Sequence, residues 1–209
     1  MYKRNLYDIA CDVICGREGK VDYSIYCPVI ESPQTGGTST INNFSRHSSG
    51  EFINYIKNDL APSAKQDVSV ARCFLLMYQS RFMVSFKYEM NSFDKKMNPI
   101  TVINGVVWNT KEGSGVALCE FFRGNVRYRE MILYVISSKI REKITIGEKF
   151  YTDWYARLYS TFKTENYFVC SEGFVFLFPD GTLKEKCGRT EEYLVPFIEL
   201  KNQIKTVLL

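Results

Sequence analysis

The sequence predicts an α+β protein made of two fused subdomains, with antiparallel sheets packed against a few helices. Two observations predict this class. Apolar and polar residues alternate through most of the first half and again near the end of the chain, as is typical of strands. Between these regions the apolar spacing changes to that of helices, and the helices follow one another instead of alternating with strands. This order differs from that of a parallel α/β protein.

The first half is predicted to form five strands and one helix. Strands are expected at residues 9–15, 21–27, 68–78, 82–90 and 100–108. The Gly/Ser/Thr-rich residues 32–40 predict a loop, and residues 41–60 predict a helix that Pro62 closes. In the fourth strand Phe86 and Lys87 belong to opposite faces, so we expect one covered face and one wetter face there.

The second half is predicted to contain two successive helices, over residues 126–144 and 147–162, followed by a return to strands. These strands are expected at residues 167–170, 174–178 and 193–195, with a last helical turn from Pro196. The apolar runs predict that four aromatic side chains are buried, namely Trp108, Phe174, Phe176 and Phe178. We divide the chain into an N-terminal subdomain, residues 1–98, and a C-terminal subdomain, residues 99–209.

Composition excludes several classes of protein. The chain has 209 residues, 45% hydrophobic and 24% charged, with a net charge of +4, which is typical of a globular protein and not of a disordered one. Its single imidazole, His47, excludes His-rich metal sites, and we predict no catalytic residue, metal ligand or cofactor. There is no apolar run of membrane-spanning length and no recognisable signal segment. We therefore expect a cytoplasmic protein with free thiols, or an extracytoplasmic one if a signal segment has been removed.

Two groups of side chains are candidates for a functional surface. One is a basic strip with an interleaved tyrosine, made of Arg123, Arg127, Tyr134 and Arg141, which could hold an anionic polymer or could be an ordinary solvated helix face. The other is the thiol of Cys187, which positive neighbours would favour as a thiolate. It is either a redox or modification site or an exposed cysteine without a role. The six other cysteines are expected to be buried and slow to react.

Several short strings, in their order along the chain, resemble a known family. They are YCPVI, INN, VSF, GSGVALCEFF, NYF, EGFVF and VPFIEL, at residues 26–30, 41–43, 84–86, 113–122, 166–168, 172–176 and 195–200. The C-terminal half resembles the domain of unknown function found in RsiV-type anti-sigma factors and in an accessory region of certain bacterial peptidoglycan deacetylases. The N-terminal half resembles the smaller domain that usually precedes it.

Two loops depart from the family pattern. Residues 91–95 replace its Gly-Gly-Ala-His run, and residues 179–188 replace the run that follows its Phe-rich strand. The resemblance implies a non-catalytic, partner-binding module, and in the anti-sigma members the domain recognises a lysozyme. Because function resides in loops and loops vary first, the ligand surface of this chain is expected to differ.

Three functional hypotheses follow. The favoured one is a non-catalytic bacterial binding or sensing module whose partner is a protein or a cell-wall-related ligand. The alternatives are a hydrolase of unknown substrate that uses a Cys or carboxylates, and a weak binder of an anionic polymer through the Arg-rich helix. Nucleic acid is not expected as a partner, and no membrane segment is predicted.

Overall fold

The fold is described from a computed structural model, which covers residues 7–32, 36–94, 96–124, 126–200 and 203–205. The strands in these ranges are β1 Asp8–Glu18, β2 Val21–Ser32, β3 Val68–Gln79, β4 Met83–Phe93, β5 Pro99–Asn109, β6 Ser114–Gly115, β7 Tyr167–Val169, β8 Gly173–Phe178 and β9 Glu191–Pro196. The α-helices are α1 Gly36–Tyr55, α2 Tyr128–Thr145 and α3 Trp154–Thr161. A π-helical turn, Ile56–Leu60, continues α1, and short 3-10 turns lie at Ala61–Ser63, Leu118–Phe121 and Phe197–Leu200.

The strands form two sheets. One has six strands in the order β1-β2-β3-β4-β5-β6, and the other has three in the order β7-β8-β9. Neighbouring strands are antiparallel except β2 and β3, which are parallel and are connected through α1. The predicted α+β class is confirmed, and the elements follow the predicted order except for β6, a two-residue strand that was not predicted.

The elements stack in four layers, namely α1, the six-stranded sheet, the three-stranded sheet and α2. All side chains of β8 are buried, because this strand lies in an inner layer. Phe174 and Phe176 pack with the α2 residues Ile132 and Leu133. The alternate residue Val175 packs with residues of the six-stranded sheet. Helix α1 covers the other face of the six-stranded sheet through two clusters of apolar side chains. The predicted burial of Trp108, Phe174, Phe176 and Phe178 is confirmed, since they are 8%, 0%, 1% and 1% exposed.

The predicted wetter face of β4 is half-buried at Lys87 and Glu89, but the prediction is wrong at Ser85. Ser85 is fully buried, and its Oγ accepts a hydrogen bond of 2.9 Å from the N–H of Val169 in β7. The neighbouring Lys87 forms a 2.8 Å ion pair with Glu192 of β9. These polar side chains lie between the two sheets, because the three-stranded sheet covers the face that sequence alternation had assigned to solvent.

Helix α1 begins earlier than predicted, at Gly36, because its glycines and small polar residues serve close packing. A Cβ atom on Gly37 would collide with the carbonyl oxygen of Thr110 and would lie 2.7 Å from the N of Gly113, in the turn that follows β5. One turn later, Asn42 bonds to both backbone groups of Ile30: its Oδ1 accepts from the N–H at 2.8 Å, and its Nδ2 donates to the C=O at 3.0 Å. The asparagine thus fixes α1 to β2.

The expected burial of six cysteines is wrong for three of them. Cys11 and Cys15 of β1 are exposed, and so is Cys119, whereas Cys27 is buried and Cys73 and Cys170 are half-buried. The strand prediction for β1 is right, but its position at the sheet edge leaves it uncovered. The main contacts of the three-stranded sheet with the six-stranded sheet are made with β3, β4 and β5.

The six-stranded sheet continues past the residue 98/99 boundary that we expected between two subdomains. Strands β4 and β5 pair along their whole lengths, from Met83 with Asn109 to Phe93 with Pro99. A division at that point would separate two hydrogen-bonded strands.

Replacing Gly105 by Ala is expected to destabilise the protein by about 1–3 kcal/mol, because a Cβ there would overlap the backbone of Tyr167 where the two sheets touch. The control is Gly50→Ala in α1, where no atom lies within 4 Å of the added Cβ. That change is expected to be neutral or stabilising, by up to about 1 kcal/mol. Urea unfolding of both variants measures the difference, and equal stabilities would contradict this sheet packing.

Glu191 is expected to reduce stability at neutral pH. The residue is 7% exposed, and burial raises the pKa of its carboxyl despite the hydrogen bond from the Tyr193 hydroxyl and the nearby charge of Lys184. The folded state therefore disfavours the charged form, and stability falls as the pH rises from below the unfolded pKa through the folded one. Glu191→Gln should remove this fall. The free energy of unfolding of the variant, measured with urea, should therefore increase relative to that of the wild type between pH 4 and pH 7.5. If the stability of the variant instead decreases relative to the wild type over that range, the charge of Lys184 outweighs the effect of burial.

Maleimide is expected to label Cys11, Cys15, Cys119 and Cys187 of the folded protein quickly, because all four are exposed. Cys27 is 2% exposed and should react only after unfolding. Mass spectrometry of peptides after short labelling times distinguishes the five sites. Rapid labelling of Cys27 in the native protein would contradict the packing of α1 on β2.

Candidate functional site

A cavity of about 610 Å³ separates the end of the β4–β5 hairpin from the loop that joins β8 to β9. Its lining is Asp94, Asn98, Pro99, Ile100, Thr101, Val102, Pro179, Asp180, Lys186, Cys187, Gly188 and Thr190. We call this space the hairpin cavity. The two segments come together although they are far apart in sequence.

One wall of the hairpin cavity is the tip of the β4–β5 hairpin, held by Asp94. Its Oδ1 accepts hydrogen bonds of 2.8 Å from the N–H groups of Lys96 and Asn98, and its Oδ2 accepts one of 3.0 Å from the Asn98 side chain. These bonds, the Asn98 side chain first, lower the pKa of Asp94. The carboxylate therefore serves to shape the turn, in which Met97 has a φ of 65°.

The opposite wall is the 179–190 loop, held by a second aspartate. Asp180 accepts hydrogen bonds from the N–H groups of Cys187 at 2.9 Å and Gly188 at 3.1 Å. Gly181 and Gly188 have φ values of 78° and 79°, a region that favours glycine. The chain can thus reverse twice, and Leu183 between the reversals is fully buried.

The loop is joined to the start of β5 at the base of the cavity. The N–H of Thr101 donates to the Gly188 carbonyl at 2.6 Å, and the N–H of Thr190 donates to the Thr101 carbonyl at 3.1 Å. The Thr190 hydroxyl then accepts from the N–H of Ile103 at 3.0 Å. Both walls therefore have a rigid base on one strand.

Both segments that depart from the RsiV-type pattern contribute to the cavity: residues 91–95 contribute Asp94, and residues 179–188 form most of the opposite wall. Sequence reasoning identified these loops individually and also singled out Cys187, but it gave no signal that they face one another. Only the pairing of β5 with the end of the long loop brings them together.

The hairpin cavity has one thiol, Cys187, and two carboxylates, Asp94 and Asp180, among its lining side chains. The Cys187 thiol is exposed, and its one polar contact is to the Arg189 carbonyl at 3.9 Å. Both aspartates already accept backbone hydrogen bonds. The only imidazole, His47, lies on α1 with its side chain 76% exposed and Nε2 3.7 Å from Glu51. Cys187 therefore has no histidine base beside it.

The predicted basic strip is partly assembled. Arg127 directly precedes α2, and Tyr134 and Arg141 lie within it at intervals of seven residues. All three are exposed, with Tyr134 at 68%. Arg123 is also exposed but precedes the helix, where its N–H donates to the Gln203 carbonyl at 2.8 Å. The exposed Glu130 lies between Arg127 and Tyr134 in helical spacing, which weakens the positive potential.

Among the residues that the structure covers, no group of three or more His, Cys, Asp or Glu side chains is arranged to hold a metal ion. In the same residues, no helix is both long enough and apolar enough to cross a membrane.

Comparison with known proteins identifies similar folds. The sequence matches no protein-family model and no curated protein. A DUF3298 family member from Bacteroides fragilis has a similar structure, with a TM-score of 0.68 and 8% identity over 96% of this chain and 94% of that one. A DUF3298 family protein from Pseudomonas aeruginosa has a TM-score of 0.63 and 8% identity, over 97% and 95%. This chain thus has the α+β fold of bacterial DUF3298 proteins, a family of unknown function.

Proposed function

We propose that the protein is a non-catalytic binding or sensing module, similar to the ligand-binding domain of RsiV-type anti-sigma factors. Its partner is a protein or a cell-wall-related ligand that enters the hairpin cavity. The observation that carries the proposal is the meeting of two chemically distinctive loops on one rigid strand, at a cavity of about 610 Å³.

The form of the cavity supports binding. Binding residues are commonly found on loops that a rigid scaffold positions. Here Asp94 and Asp180 fix the backbone of each loop, so side chains such as Lys186 and Cys187 remain on the surface for a partner. A preformed site loses less conformational freedom on binding than a mobile one does.

The same features argue against the hydrolase alternative. A cysteine nucleophile needs a neighbouring base, and paired carboxylates need free oxygens to transfer protons. In the hairpin cavity the carboxylates bond to backbone N–H groups instead. The anionic-polymer alternative rests on α2, where an interleaved glutamate reduces the field of the arginines.

Photo-crosslinking from the cavity tests the proposal. Two proteins that each keep one exposed cysteine, Cys187 or Cys15, are labelled with a benzophenone maleimide and exposed to an extract of the producing cells, to peptidoglycan fragments or to lysozyme. We expect a discrete adduct from Cys187 and none from Cys15, which lies on the uncovered face of β1. Lysozyme should give no adduct, because both loops of the family pattern are replaced.

Two variants serve as controls for this experiment. Lys186→Trp fills the cavity and should abolish the adduct, whereas Lys111→Trp, in the exposed turn after β5, should leave it unchanged. Equal adducts from Cys187 and Cys15 would contradict binding at the cavity. Hydrolysis of a supplied substrate that is lost in Cys187→Ser would contradict the non-catalytic assignment.

A further inference from the structure

A buried arginine lies on the opposite side of the six-stranded sheet from the hairpin cavity. Arg72 of β3 is only 9% exposed and is covered by α1. Its Nη1 donates to Ser49 Oγ at 3.2 Å and its Nη2 donates to Ser48 Oγ at 3.0 Å. The guanidinium lies over the Tyr88 ring, 4.6 Å from its centroid.

These partners do not neutralise the charge. A guanidinium has five N–H donors, so the two serine hydroxyls leave three without a partner among the residues that the structure covers. In those residues no carboxylate forms an ion pair with Arg72. Burial accordingly lowers its pKa, although Tyr88, Cys27 and Glu51 act in the opposite direction. Burying a cation is costly unless an anion accompanies it.

The guanidinium borders a cavity that has room for such an anion. The cavity measures about 270 Å³ and is lined by Ser48, Glu51, Phe52, Tyr55, Arg72, Tyr88, Met90 and Asn104. It combines a cation and hydroxyl groups with an apolar wall, and the rings of Phe52 and Tyr55 stack there at 6.2 Å. This is the usual composition of a small-molecule site, with an apolar lining and a few polar groups that fix orientation.

Glu51 limits the charge of the occupant. Its carboxylate lines the same cavity, but its side chain is 68% exposed and faces His47 at 3.7 Å. A second negative charge at the entrance disfavours a dianion such as phosphate more than it disfavours a monoanion. The planar fork of the guanidinium also matches a carboxylate, which it can bind through two parallel hydrogen bonds.

From these contacts we propose that the cavity between α1, β3 and β4 binds a small organic monocarboxylate. Arg72 binds the carboxylate group, and the Phe52, Tyr55 and Met90 side chains contact its apolar part. This site is independent of the hairpin cavity and of the function proposed for it.

Titration of the ¹⁵N-labelled protein with sodium benzoate tests the site directly. We expect a saturable shift of the Arg72 Nε–H signal in the wild-type protein, so no variant has to fold for the test to be decisive. Arg81 is the internal control, because its guanidinium also lies near a ring, that of Phe82 at 5.1 Å, but on the exposed surface. Sodium chloride and sodium phosphate at equal ionic strength are the comparison titrations.

Two variants sharpen the result. Arg72→Lys keeps the charge but loses the fork, and should weaken benzoate binding roughly tenfold or more. Glu51→Gln should strengthen it. The proposal is overturned if benzoate shifts Arg72 no more than Arg81, if phosphate binds in preference to benzoate, or if benzoate binds only in Glu51→Gln, which would make Glu51 the natural occupant.

Discussion

The close approach of β5 to β7 at Gly105 determines how the two sheets are placed. With no side chain at that position, the backbone of Tyr167 lies directly against β5, and Val169 can bond to the buried hydroxyl of Ser85. The three-stranded sheet is thereby held over β3, β4 and β5, with which it makes its main contacts. The uncovered face of β1 and the burial of Lys87 with Glu192 both follow from this position. So does the return of the β8–β9 loop to the edge of β5, which closes the hairpin cavity.

The sequence predicted the positions of most strands and of α2 well because periodicity is a local property, but the helix expected over residues 147–162 forms only at Trp154–Thr161. The continuous apolar run of β8 and the helical spacing of apolar residues in α2 can each be recognised within a short window of sequence. Which face of a strand is covered is not local, since it depends on residues far away in sequence. Cys15 and Ser85 show this: both were assigned to a face from their neighbours, and both assignments failed because the three-stranded sheet covers β4 and leaves β1 open. The facing of the two candidate loops was unpredictable for the same reason.

Small and polar residues misled the sequence interpretation wherever they serve packing. Gly37 was read as part of a loop, but its missing side chain allows the first turn of α1 to lie against the turn after β5. Asn42 likewise uses its amide as a strand would use its backbone, by bonding to both groups of Ile30. Arg72 gave no signal at all, because nothing in an alternating strand distinguishes a buried cation from an exposed one. Its environment became visible only when α1 was placed above it.

The chain shares its fold with bacterial DUF3298 structures at only 8% sequence identity. This agrees with a fold that depends on local apolar patterns and not on particular residues. Many different apolar residues can form the continuous apolar run of β8 or the helical spacing of α2, so the layers persist while almost every residue changes. Core packing requires no apolar pattern in the hairpin tip or in the β8–β9 loop. Their backbone geometry is fixed here by Asp94 and Asp180. A shared fold therefore carries little information about a ligand, and under the function proposed above the specificity of this chain depends on its own two loops.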